Sequence, residues 1–267
     1  MKRPMPALPR VAPAPGAADA PVAGSAPRRR ALRAAIALPA VAAAGSLGLI
    51  AGGCASPATR PAPPGAEPLQ PPAPKVGDRW RYLLVNLYNR GPIGEVTVTV
   101  TATSPEIRLS VDSGGGTPPL EERWAQPWAV IRDTGYDQPL TFETPMPVVP
   151  AGARTGQSMR SSTRYRGDIG DSRYAWNQQL RVIGWERVQV PAGAFDALRI
   201  ERMIGFQHPD PFRYDPWRTD VAWYAPQVGR WVLREWTGHY MPGGPSPLAG
   251  RAREDWVQWQ LVAWEPA

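Results

Sequence analysis

The chain of 267 residues is poor in the residues that staple or metallate a fold: one cysteine, two histidines (His208 and His239) and two lysines (Lys2 and Lys75). A lone cysteine excludes an intramolecular disulfide, and it has no partner at zinc-ligand spacing. After residue 75 prolines and glycines interrupt every stretch with helical periodicity, so no amphipathic helix is predicted there. No glycine-rich loop follows a strand-like run in the manner of a phosphate site. An excess of positive charge is also missing once the chain is divided at Cys54. Seven of the 30 Lys+Arg and one of the 23 Asp+Glu precede it, which leaves 23 basic against 22 acidic residues, a net charge of +1. The remaining arginines are scattered singly rather than in tracts, so nucleic acid is not an expected partner.

What is present begins with the seam around Cys54. Arg28, Arg29, Arg30 and Arg33 are followed by residues 34–53, a run without charge. A basic n-region, an apolar h-region and small residues at the boundary are the parts of an export signal. The end of that run, Ile50-Ala51-Gly52-Gly53-Cys54, resembles the lipobox of bacterial lipoproteins. The resemblance implies cleavage before Cys54, acylation of its sulfur and of the new amino terminus, and anchoring in a membrane of the cell envelope. With Ala55 and Ser56 after the cysteine and no aspartate there, it implies the periplasmic face of the outer membrane in a Gram-negative cell. An uncleaved apolar span is the alternative; both put the remainder of the chain outside the cytoplasm. The arginine cluster also resembles a twin-arginine export signal, and Val22 offers a start that would give an n-region of ordinary length.

Three regions are therefore predicted: a signal peptide over 1–53, a lipidated cysteine with an Ala/Pro-rich tether over 54–74, and one antiparallel β domain over 75–267. In residues 94–103, Val96, Val98, Val100 and Ala102 alternate with Glu95, Thr97, Thr99, Thr101 and Thr103, and Ile107, Leu109 and Val111 continue the pattern. Such alternation marks half-buried strands. Further strands are predicted over residues 174–190, 195–206, 218–224, 230–239 and 256–264, with turns at Pro191-Ala192-Gly193 and Pro226-Gln227-Val228-Gly229. The fold class is all-β, an antiparallel curved sheet, half-barrel or barrel of roughly eight to eleven strands. Residues 145–171 are expected to form a long loop or weak strands.

Candidate chemistry is thin. Asp112-Ser113-Gly114-Gly115 resembles part of a serine-protease nucleophile motif, but both histidines follow it, and the sequence is ordinary turn chemistry. His208, Asp210 and Asp215 lack a second histidine at ligand spacing, so no metal or other cofactor is expected. The twelve tryptophans are the densest signal, and most are expected to fill a core. Five near the C-terminus, Trp223, Trp231, Trp256, Trp259 and Trp264, are candidates for lining a pocket.

Three phrases, Val76-Gly77-Asp78-Arg79-Trp80-Arg81-Tyr82, residues 190–202 ("VPAGAFDALRIER") and residues 223–235 ("WYAPQVGRWVLRE"), resemble the repeated wording of uncharacterised bacterial envelope proteins. The resemblance implies a β domain shaped like the open half-barrels of periplasmic lipoprotein carriers, and implies no reaction. The predicted function is a lipid-anchored envelope protein with a non-catalytic binding or scaffolding role toward a lipid or acyl chain, a glycan or another envelope protein. The alternative is a periplasmic hydrolase whose Asp and Glu residues converge only in the fold.

Overall fold

Among the described residues thirteen strands follow one another: β1 (Arg79–Asn86), β2 (Gly91–Ala102), β3 (Ile107–Asp112), β4 (Leu120–Gln126), β5 (Ala129–Asp133), β6 (Leu140–Pro147) and β7 (Ser158–Gly167), then β8 (Tyr174–Val190), β9 (Gly193–Phe206), β10 (Arg213–Ala225), β11 (Arg230–Pro242), β12 (Ala252–Arg253) and β13 (Val257–Glu265). The structure, a computed structural model, describes residues 59–70, 72–126, 128–243 and 250–267. Cys54 and the signal-like run before it lie outside the described residues.

From β1 to β11 each strand pairs antiparallel with the next. The sheet then closes on itself, because β13 inserts between β11 and β1. It runs from Arg79↔Glu265 to Asn86↔Val257 on one side and from Leu233↔Gln260 to Trp236↔Val257 on the other. The ring holds twelve strands, and β12 adds a two-residue ladder to the end of β11. The architecture is thus a closed antiparallel barrel, larger than the predicted eight to eleven strands and without the open edge of a half-barrel. Closure removes the unpaired strand edges that an open sheet would have to protect.

Alternation sets the two faces. Val96, Val98 and Val100 of β2 and Leu109 and Val111 of β3 are buried, while Glu95 and Thr101 on the other face of β2 are exposed. An apolar inside and a polar outside is the reverse of a membrane-spanning barrel, whose apolar band faces lipid. A twelve-stranded barrel is wide, and filling it takes large side chains. Eight of the twelve tryptophans are buried, among them Trp80, Trp124, Trp128, Trp176, Trp185 and Trp231, which makes core filling their main use. Residues 145–171, expected to form a long loop or weak strands, contain the end of β6 and all ten residues of β7. Only Tyr165 of β7 is buried, so that strand carries almost no apolar alternation.

The two ends of the barrel differ. One end carries the turns after β2, β4, β6, β8 and β10, and residues 59–70 and 72–74 lie across it. Arg60 bridges to Trp185 through its N–H (2.7 Å to the Trp185 carbonyl). The Leu69 N–H donates to the Ala153 carbonyl (3.0 Å), and the Leu69 side chain is 1% exposed. Glu67 accepts hydrogen bonds from Trp185 Nε1 (2.8 Å) and from Thr155 Oγ1 (2.7 Å). The described part of the expected tether is thus a strap that seals this end together with Val148, Val149, Ala153 and Val228, all buried. At the other end, which carries the turns after β1, β3, β5, β7 and β9, the described residues leave an opening.

Candidate ligand-binding site

A cavity of about 460 Å³ occupies the open mouth. Leu84, Val96, Val111, Leu120 and Val257 supply one aliphatic wall, and the buried rings of Trp236 and Trp259 extend it. The opposite wall is charged, with Arg213 and Arg218 from β10 and Glu254 from the segment joining β12 to β13. Beside it lies a second cavity of about 200 Å³, bounded by Leu140, Tyr165, Ile169, Phe206, His208 and Pro209. Tyr136, Asp137, Arg218 and Glu254 border both. Volumes and linings of this kind are those of small-molecule sites.

The charges are arranged in pairs and triads along the inner faces of β5, β9, β10 and β11. Arg202 Nη2 lies 2.5 Å and Arg234 Nη2 2.7 Å from Asp220 Oδ2, and Arg234 also approaches Asp133 (3.7 Å). Arg218 pairs with Glu254 at 3.2 Å, and deeper in the barrel Arg230 pairs with Glu122 at 3.2 Å. Burial alone would push the Asp220 carboxyl up, but the charges and hydrogen bonds of Arg202 and Arg234 outweigh it and hold the group well below the usual carboxylate range. For Glu122 burial wins over the charge of Arg230, and its pKa is raised. The Glu254–Arg218 contact depends on Gly238: a Cβ there would collide with the Glu254 carboxylate and the Trp217 carbonyl.

Tyr136 stands at the centre of the mouth. It belongs to the loop of residues 134–139 between β5 and β6, held at its start by the Gly135 N–H on Asp133 Oδ1 (2.8 Å). Its ring covers the Arg218 guanidinium (4.2 Å to the centroid) and meets Trp176 edge-on (5.5 Å). Burial, opposed by the Arg218 charge, pushes its phenol up to about 12, so the hydroxyl keeps its proton at neutral pH. That hydroxyl is buried and has no hydrogen-bond partner among the described residues.

The rim is apolar. Of the ten large hydrophobic residues exposed among the described residues, seven lie at the mouth: Tyr88, Ile93, Leu120, Ile169, Phe212, Tyr214 and Met241. Only Val76 and Trp264 lie at the sealed end. Scattered exposed hydrophobics are ordinary, whereas a grouping around one opening is a feature of interaction surfaces in general.

The five candidate tryptophans do not converge. Trp231 is in the core, stacked on Trp124 (5.9 Å), and only Trp259 borders the mouth cavity. Trp223 and Trp256 are half-buried on the outer face, their Nε1 groups donating to Glu186 and Glu235 (both 2.7 Å). Trp264, 37% exposed, lies at the sealed end. His208 accepts the Asp210 N–H at Nδ1 (3.0 Å) within a turn, and burial, with the Arg213 charge, lowers its pKa. Among the described residues no three His, Cys, Asp or Glu are grouped to hold a metal ion. Tyr136, Arg218 and Glu254 were not foreseen, yet part of their signal is in the sequence. Charged residues sit at inward positions of alternating strands: Arg202 between Ile200 and Ile204, and Arg218 and Asp220 ahead of Ala222 and Tyr224.

No family model and no curated protein matches the chain. Solved structures with a similar backbone include a candidate lipoprotein from Parabacteroides distasonis (13% identity, TM-score 0.45, covering 73% of this chain and 97% of that one). A candidate exported protein with a YmcC-like fold from Bacteroides fragilis is similar at 14% identity and a TM-score of 0.46 (73% and 98%). The hypothetical lipoprotein YmcC from Escherichia coli is similar at 10% identity and a TM-score of 0.38 (74% and 93%). These are likenesses of fold.

Proposed function

We propose that this is a lipid-anchored protein of the cell envelope, held through Cys54 at the periplasmic face of the outer membrane, whose barrel binds a small amphipathic molecule in its mouth without chemical turnover. The observation that carries the binding role is the mouth cavity itself, where an aliphatic wall faces an ion-paired one inside an apolar rim. The strap supports an orientation. Four residues separate Cys54 from Thr59, five steps along the chain that span at most about 18 Å when fully extended, and residues 60–69 lie on the sealed end. The sealed end then sits beside the anchoring membrane, and the mouth faces away from it toward the periplasm. The hydrolase alternative asks for a carboxyl able to hold a proton beside the ligand. Asp220 is clamped by two arginines, Glu122, whose pKa is raised, lies below the cavity under Trp124 and Arg230, and Glu254 and Asp137, which border the cavity, are paired with Arg218 and Arg213.

Mass spectrometry of the protein extracted intact from membranes tests the reading. The expected result is an acylated amino terminus at Cys54 and a co-purifying amphiphile. An unmodified chain retaining residues 1–53, free of any bound molecule, would contradict both halves.

A further inference from the structure

The two cavities of the mouth are unequal, about 460 and 200 Å³, and each has an apolar wall: Leu84, Val96, Val111 and Val257 in the larger, Leu140, Phe206 and Pro209 in the smaller. They meet at one polar point, where Tyr136, Asp137, Arg218 and Glu254 border each of them. We propose that they form a single site for a two-chain lipid, one chain in each cavity and its ester-bearing centre at Tyr136 and Arg218. This rests on the mouth reading above and names the ligand class.

Three observations lead to it. The first is the shared polar centre: a single-chain ligand would fill one cavity and leave the other apolar lining, Leu140, Phe206 and Pro209, without a partner. The second is the Tyr136 hydroxyl, buried and unpartnered beside Arg218. An unmade hydrogen bond at a buried donor is costly, and an ester carbonyl placed between the cavities would accept it. The third is access. Each cavity has its own exposed apolar lip, Ile93 for the larger (55% exposed) and Ile169 for the smaller (85% exposed). The loop that carries Tyr136 lies outside the strands, with Asp137 paired to Arg213 (3.1 Å) and the Tyr136 ring packed on Arg218 and Trp176, so it stands between the two lips.

The test compares two lipids of one headgroup and equal acyl carbon number on the purified full-length protein: dihexanoyl phosphatidylcholine and dodecanoyl lysophosphatidylcholine, each below its micelle-forming concentration. Titration calorimetry is expected to give at least about tenfold tighter binding for the two-chain lipid, because both apolar linings are then covered. Ile169→Asp places a charge on the smaller lip and is expected to erase that preference. The residue is exposed, so the melting temperature serves as the control for folding. Tyr136→Phe is expected to weaken the two-chain lipid several-fold and to leave the fold intact. Equal binding of the two lipids, or an Ile169→Asp change that weakens both alike, overturns the two-chain site while the mouth reading stands. Binding of neither lipid overturns the mouth reading itself.

Discussion

The sealed end and the mouth of the barrel are built from the same strands and yet obey different rules. At the sealed end apolar groups meet apolar groups: Leu69 enters among Val148, Val149, Ala153 and Val228, and the strap's N–H groups find carbonyls at Trp185 and Ala153. At the mouth the order is broken. Arginines and acids of β9 and β10 occupy inward positions, and hydrophobic side chains face solvent. Local choices that disagree with stability tend to collect where a protein works. On the proposed reading, the sealed end holds the fold and the mouth gives up some of that order for binding.

The comparison can be broken in steps of decreasing size. The largest effect is expected from ending the chain at Glu254, which deletes β13, the strand that joins β1 to β11 and closes the ring. That protein should lose its cooperative urea transition; a transition like the full chain's would show that closure is dispensable. Next comes Asp220→Ala, which leaves Arg202 and Arg234 buried without their shared partner and should cost about 3–5 kcal/mol in the same assay. A cost below about 1 kcal/mol would mean that water already reaches these groups.

A smaller contrast sets the two ends directly against each other. Leu69→Ala at the strap should cost about 2–4 kcal/mol through the cavity it leaves. Ile93→Ser at the rim should stay within about 0.5 kcal/mol, as exposed substitutions do. Equal costs would erase the distinction drawn here. The smallest effect concerns pH. Burial would push Glu67 up, but hydrogen bonds from Thr155 and Trp185 and the Arg154 charge outweigh it, so its folded pKa lies below the ordinary 4.5. A depressed folded value adds stability that is complete above the unfolded value and lost as pH falls through the folded one. The melting temperature should therefore drop slightly below about pH 4.5, and Glu67→Gln should flatten that drop.

Much of the barrel was readable from alternation. Strand β8 begins and ends where the sequence placed it, at Tyr174 and Val190, and the turn at Pro191-Ala192 follows it. Strand β7 could be read only as a loop or a weak strand, because Ser158, Arg160, Ser162 and Arg164 alternate with residues that are themselves mostly polar, and only Tyr165 reports an inside face. Closure was not readable, since it depends on Arg79 meeting Glu265, a pairing of two strands from opposite ends of the domain that leaves no local trace. The site was readable only as an anomaly: arginines and aspartates at buried positions of β9 and β10 break an otherwise regular pattern. That anomaly does not reveal that Tyr136, from a distant loop, lies over Arg218. The strap was hidden by its own composition, because proline and alanine read as linker while a single residue, Leu69, carries its packing.

The central claim is that ligand is received at the mouth and that the sealed end is structural. Methyl-resolved NMR of the full-length protein, titrated with dihexanoyl phosphatidylcholine below its micelle-forming concentration, tests it most directly. The methyl signals of Leu84, Ile93, Val96, Leu120 and Ile169 should shift in a saturable way, while those of Leu69, Val148 and Val228 stay in place. Shifts confined to Leu69, Val148 and Val228, or no saturable shift at the mouth, would contradict it.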